Sequence, residues 1–157
     1  KANVGYRVVT LSTEKLLEIF RVRESLEGMA CNLAAKNMSN AQIAELKSLL
    51  TQHEQNESLQ QGEAYYQKEG DLDFHFKIVF GSGNGLLIRL LCEELYYLVR
   101  MYRYQFGMAS PRAKKAFREH HNIIQAIEDK DGELAEILMR RHISASRLNV
   151  EKRMNTL

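Results

Sequence analysis

Proline is nearly absent from this chain: Pro111 is the only one, and nine glycines are spread over 157 residues. So little turn-forming chemistry leaves scant room for a multi-stranded β architecture, which needs many turns. Cysteine is scarce too. Cys31 and Cys92 stand far apart with no C-x-x-C pairing, both in apolar helical runs. That pattern points to reduced core thiols in a cytosolic protein rather than a disulfide. No apolar run approaches the ~20 residues of a membrane span, and no signal peptide precedes the first helical pattern. A net charge of +2 is too small to imply nucleic-acid binding by this chain itself. What is present is the composition of an ordinary soluble globule, 45% hydrophobic and 27% charged. At this length one domain can bury a core without staples. The first residue is Lys1 rather than Met, as expected of a fragment.

The apolar periodicity predicts an all-α fold, an antiparallel helical bundle of about six to seven helices. Residues 4–11 are short and β-branched and read as the tail of a strand plus a linker. Ser12 then caps a helix with Glu14 in its first turn, and Leu16, Leu17, Ile19, Phe20, Leu26 and Met29 form its apolar stripe to about Ala35. Ser39-x-x-Gln42 is a capping box opening a second helix, with Ile43, Leu46, Leu49 and Leu50 on its buried face. The polar stretch 52–62 reads as a mobile loop. A third helix, about 63–80, is weakened locally by Gly70. The glycine-rich 81–85 follows, either a tight turn or an anion-binding loop at a helix start, with Asn84 at the N-cap. No strand precedes it and no Lys-Ser/Thr follows it, as a P-loop would require. The fourth helix, about 86–107, carries Leu86, Leu87, Leu90, Leu91 and Leu95, apolar on most sides and hence expected to be central. Ser110-Pro111 is expected to cap and start a fifth helix. Asp131-Gly132 separates it from a sixth, about 133–153.

The chemistry-bearing residues are one carboxylate and three imidazoles on three of these helices. Asp71 and His75 lie one turn apart on one helical face, so both can reach one metal ion. His120 and His142 each lie in another periodic helix, and a bundle could bring all four to one interior point. Each also has a plainer reading. An acidic residue four positions from a histidine arises readily by chance. Of His120 and His121 only one can point inward, and His142 alone suits a hydrogen-bonded core position.

The run 96–104, with Tyr97, Arg100 and Arg103 among its aromatics and cations, could stack bases. Its helical spacing equally fits core packing with snorkelling arginines. A buried arginine there, or Arg23 in the first helix, would suit a carboxylate ligand bound through both arms of the guanidinium. For Arg23 the alternative is an intrahelical ion pair with Glu27. H-E-x-x-H, Glu-x-x-His, a His-Asp dipeptide and G-x-S-x-G are all missing.

Several motifs in order resemble one family. They are Arg23-x-x-Leu26-Glu27 with Ala34-Ala35, Asp71-x-x-Phe74-His75, Ser82-Gly83-Asn84, Glu119-His120-x-x-Ile123-x-x-Ala126-Ile127, and Met139-x-x-His142. Together they resemble the C-terminal FCD effector-binding domain of GntR-type (FadR subfamily) bacterial transcription regulators, over almost the whole chain. His121 departs from the pattern, standing where a basic residue is common.

The resemblance implies a homodimeric regulator in the cytoplasm, without membrane contact. It reads operator DNA only through an N-terminal winged helix-turn-helix, of which residues 1–11 would be the end of the wing and the linker. Residues 12–157 would then be the metal- and effector-binding domain. The implied metal ligands are Asp71, His75, His120 and His142, holding a divalent ion, zinc first, with nickel, manganese or iron as alternatives. The stretches 23–30 and 95–106 are similar to regulators of propionate and 2-methylcitrate catabolism. A small carboxylate effector, like 2-methylcitrate, 2-methylisocitrate or citrate, is therefore expected, contacted by Arg23, Asn84, Arg100, Arg103 and Tyr97. The competing functions are a metal-dependent enzyme acting on a small hydroxy acid, which lacks an evident general base beyond His121 and Glu119, and a metal-stabilised dimerisation bundle.

Overall fold

A computed structural model describes residues 12–55, 70–106 and 112–154. Six helical runs make up these segments: α1 (Thr13–Asn37), α2 (Asn40–Gln55), α3 (Gly70–Gly81), α4 (residues 85–106), α5 (Ala113–Glu128) and α6 (Gly132–Met154). The architecture is the expected all-α bundle. The strand tail and linker of residues 1–11, most of the 52–62 loop, the start expected for the third helix, and Ser110-Pro111 lie outside the described residues.

Local sequence sets the helix starts. Ser12 Oγ accepts from the Lys15 amide at 3.2 Å. At α2 the capping box forms in both directions: the Ser39 amide donates to Gln42 Oε1 at 2.9 Å, and the Gln42 amide donates to Ser39 Oγ at 3.3 Å. Asn84 Oδ1 accepts from the Leu86 and Leu87 amides, and Gly83 turns the chain at φ 67°. The 81–85 segment is thus an inter-helix turn. Arg112 holds the cap position of α5 with no side-chain cap bond, and the helix begins at Ala113.

α1 is the axis of the bundle, and its broadest interface is with α6. The two run antiparallel: on α1, Gly28 lies against Glu136 and Arg140, while Asn32, a turn further on, lies against Gly132. Leu16, Ile19, Phe20, Cys31, Leu46, Phe74 and Ile123 belong to one continuous core. Met29 departs from its expected stripe and is half exposed, because the buried face of α1 runs instead through Arg23, Glu27, Ala30 and Ala34.

The fourth helix is not central. Leu86 and Tyr97 face solvent, and burial falls on one side, at Leu87, Leu91, Tyr96, Val99 and Tyr102. The buried positions step by five from Leu91 to Tyr96. Arg89–Leu95 is π-helical, and the Tyr96 amide donates to the Leu91 carbonyl. The extra residue in that turn re-phases the helix and brings Tyr96 into the core. Both cysteines are free, Cys31 buried and Cys92 partly so. Among the described residues no helix is long and apolar enough to cross a membrane.

Candidate metal centre

Three helices deliver three imidazoles to one point. His75 from α3, His120 from α5 and His142 from α6 are all buried, each with a ring nitrogen within 4.8 Å of the others. Each sits on the inward stripe of its helix: Phe74 and Ile78 flank His75, Ala116, Ile123 and Ile124 flank His120, and Met139 and Ile143 flank His142. The Phe74 ring stacks on His120 at 3.8 Å between centroids and fixes its plane. The His120 and His142 Nε2 atoms face one another at 3.2 Å. His121 points outward and pairs with Glu54 at 2.8 Å, which settles which of the two neighbouring histidines faces in.

Two of the imidazoles are held from behind by carboxylates. His142 Nδ1 lies 2.7 Å from Glu119 Oε2. Arg112 in turn donates to that oxygen at 2.5 Å, to Ser146 Oγ at 2.9 Å and to the His142 carbonyl at 3.3 Å. His75 Nδ1 lies 2.5 Å from Glu27 Oε2, while Arg23 Nε donates to Glu27 Oε1 at 2.6 Å. The Arg23 guanidinium also lies over the rings of Phe20 and Tyr96.

Electrostatics keep both carboxylates charged. Burial pushes the Glu27 carboxyl up, but the Arg23 guanidinium and the His75 imidazole outweigh it and bring the group down to about 2. Burial likewise opposes ionisation of Glu119, and the His142 and Arg112 contacts overcome it, so its pKa is also lowered. Burial, and then the nearby Glu27 carboxylate, push the Tyr96 phenol well up.

This donor set fits a divalent ion. An anionic carboxylate at Nδ1 favours the N–H on that side and an Nε2 lone pair directed into the cluster. Two Nε2 atoms 3.2 Å apart are then drawn together by a shared proton or by a cation. Imidazole nitrogen suits zinc and the later first-row metals.

Of the other residues singled out in the sequence, Asp71 lies one turn before His75 on α3, and its side chain is outside the described residues, as is that of Arg103. Arg23 makes the ion pair with Glu27, fully buried. Asn84 is engaged as a helix cap, Tyr97 is exposed and Arg100 is partly buried. In sequence Glu27 is legible only as an ion-pair partner of Arg23, and Glu119 as the neighbour of His120 and a candidate general base. The signal for Glu119 was its place directly before an inward histidine.

The chain matches the FCD domain over residues 18–145. It belongs to the FCD family. This FCD domain is 27% identical over 146 residues to the HTH-type transcriptional repressor GlaR of Escherichia coli K12, covering 88% of the chain and 66% of that protein. The chain therefore spans slightly less than two thirds of GlaR. In fold it is similar to E. coli McbR/YncC, with a TM-score of 0.76 at 22% identity, covering 98% of this chain and 76% of that one. It is also similar to Streptococcus agalactiae GntR, with a TM-score of 0.72 at 23% identity, over 88% of this chain and 61% of that one.

Proposed function

We propose that this FCD domain is the sensing half of a metabolite-responsive, cytoplasmic, non-enzymatic transcription regulator. In this reading it holds a divalent ion, zinc first, and binds a small carboxylate such as citrate or 2-methylcitrate. The supporting observation is the meeting of three buried histidine nitrogens from three helices within 4.8 Å. His75, His120 and His142 would hold the ion, with Asp71 as a fourth ligand. When bound, the ion supplies positive charge to which a carboxylate effector can add. Arg23, Asn84, Arg100, Arg103 and Tyr97 make up the proposed effector contacts. For Arg23 this would require its guanidinium to share Glu27 with the effector carboxylate.

Residues 1–11 would join this domain to a winged helix-turn-helix, and a homodimer would present two such domains to operator DNA. The effector can shift DNA affinity only by its differential affinity for two arrangements of the helices. Elemental analysis of the purified protein, followed by calorimetric titration of the metal-loaded form with citrate and 2-methylcitrate, tests this. One metal per chain and saturable heat are expected. A flat titration with metal loaded defeats the sensor reading.

The near-complete burial of all three histidines favours a second reading, a metal that only stabilises the bundle. In that case chelation lowers the melting temperature and no small acid raises it.

A further inference from the structure

We infer that Glu27 and Glu119 are positioning residues that fix the tautomers of His75 and His142 before any ion arrives. The inference rests on the metal reading above and extends it to residues that would not touch the metal. Two Arg–Glu–His chains converge on the cluster: Arg23–Glu27–His75 from α1 to α3, and Arg112–Glu119–His142 from α5 to α6. In each, the arginine holds the carboxylate, and a carboxylate oxygen lies against Nδ1, 2.5 Å away at His75 and 2.7 Å away at His142. An imidazole whose Nδ1 faces an anion carries its proton there, and its Nε2 presents a lone pair. The Phe74 ring stacks on His120, whose Nε2 faces that of His142. In the metal-free protein the His120 proton therefore sits on Nε2 and is donated to the His142 lone pair. Were an ion to take both Nε2 atoms, the His120 Nε2 proton would pass to solvent and one from solvent would be taken up at Nδ1, so that His120 would exchange tautomers with no net change of charge.

The arginines give the variant its direction. In Glu27→Gln, Arg23 retains the amide oxygen, because it can only donate. The amide NH2 then faces His75 Nδ1 and selects the proton on Nε2, the atom the metal would need. Long-range proton–nitrogen spectra of the 15N-histidine-labelled chain, stripped with EDTA, read this directly. His75 and His142 are expected as Nδ1–H and His120 as Nε2–H, and added zinc changes the tautomer of His120 only. Glu27→Gln is expected to convert His75 to Nε2–H and weaken zinc binding about 10- to 100-fold, with His142 unchanged. Nε2–H on His75 or His142 in the wild-type protein overturns the inference, whether or not the variant folds. So does a folded Glu27→Gln protein with unaltered tautomer and zinc affinity. Wild-type protein that shows the stated tautomers yet takes no zinc supports the inference and defeats the metal reading instead.

Discussion

His120 and His142 point their Nε2 atoms at each other across 3.2 Å in the core, though 22 residues separate them in sequence. That approach gives the first prediction. His120→Ala and His142→Ala should each weaken zinc binding by about 100-fold or more, since losing a ligand costs at least what losing its outer-shell partner does. His121→Ala, one position along, should bind zinc as the wild type does, because that ring faces solvent and pairs with Glu54. Competition with a chromophoric chelator measures all three. Loss of zinc binding in His121→Ala alone would reverse the assignment of the inward histidine.

Acid should destabilise the metal-free protein through its held carboxylates. The folded Glu27 carboxyl, at about 2, lies below its ordinary 4.5, so the fold binds the ionised form more tightly. That stabilisation is complete above pH 4.5 and is lost as the pH falls towards 2; Glu119, also lowered, acts in the same direction. Melting temperature should therefore fall steeply below pH 4.5, and Glu27→Gln should show a shallower fall over the same window. An identical pH dependence in the two proteins would remove Glu27 from the acid transition.

The α1–α6 interface should be sensitive at one glycine. A Cβ on Gly132 would lie 2.9 Å from the Asn32 carbonyl oxygen, a backbone atom that cannot swing aside. Gly132→Ala is expected to cost about 1–3 kcal/mol in urea unfolding. Gly85→Ala meets nothing within 4 Å at the start of α4 and should be neutral or gain about 0.5–1 kcal/mol.

Neither thiol should react readily in the folded protein. Burial, and then the Glu27 and Glu93 carboxylates, push the Cys92 thiol up to about 12. Cys31 is fully buried, and burial pushes its thiol well up as well. At pH 8 only about one Cys92 in ten thousand is then thiolate. Modification by a disulfide reagent should be slow in buffer and complete in guanidinium, and rapid labelling of the native protein would contradict the packing around both residues.

Much of the fold was legible because its signals are local. Ser12, the Ser39/Gln42 box and Asn84 each act within three residues, so spacing alone locates the helix starts they cap. The three histidines were legible as inward positions on periodic helices. The π-helical turn at Arg89–Leu95 was not, because a change of backbone hydrogen-bond register leaves no mark in apolar periodicity. It spaced the buried positions Leu91 and Tyr96 five residues apart rather than three or four. Met29 and Leu86 show the same limit: an apolar side chain at helical spacing does not say which neighbour will cover it. Glu27 and Glu119 stayed hidden for a different reason. Their partners His75 and His142 lie on other helices, while in sequence Glu27 reads as an ordinary ion pair with Arg23 and Glu119 as a candidate general base beside His120.

X-ray absorption at the zinc edge of the stoichiometrically loaded chain tests the metal assignment most directly. Three imidazole nitrogens at about 2.0–2.1 Å, with oxygen completing the shell, are predicted. A shell with fewer than two imidazoles, or protein that holds no zinc once excess metal is dialysed away, would contradict it.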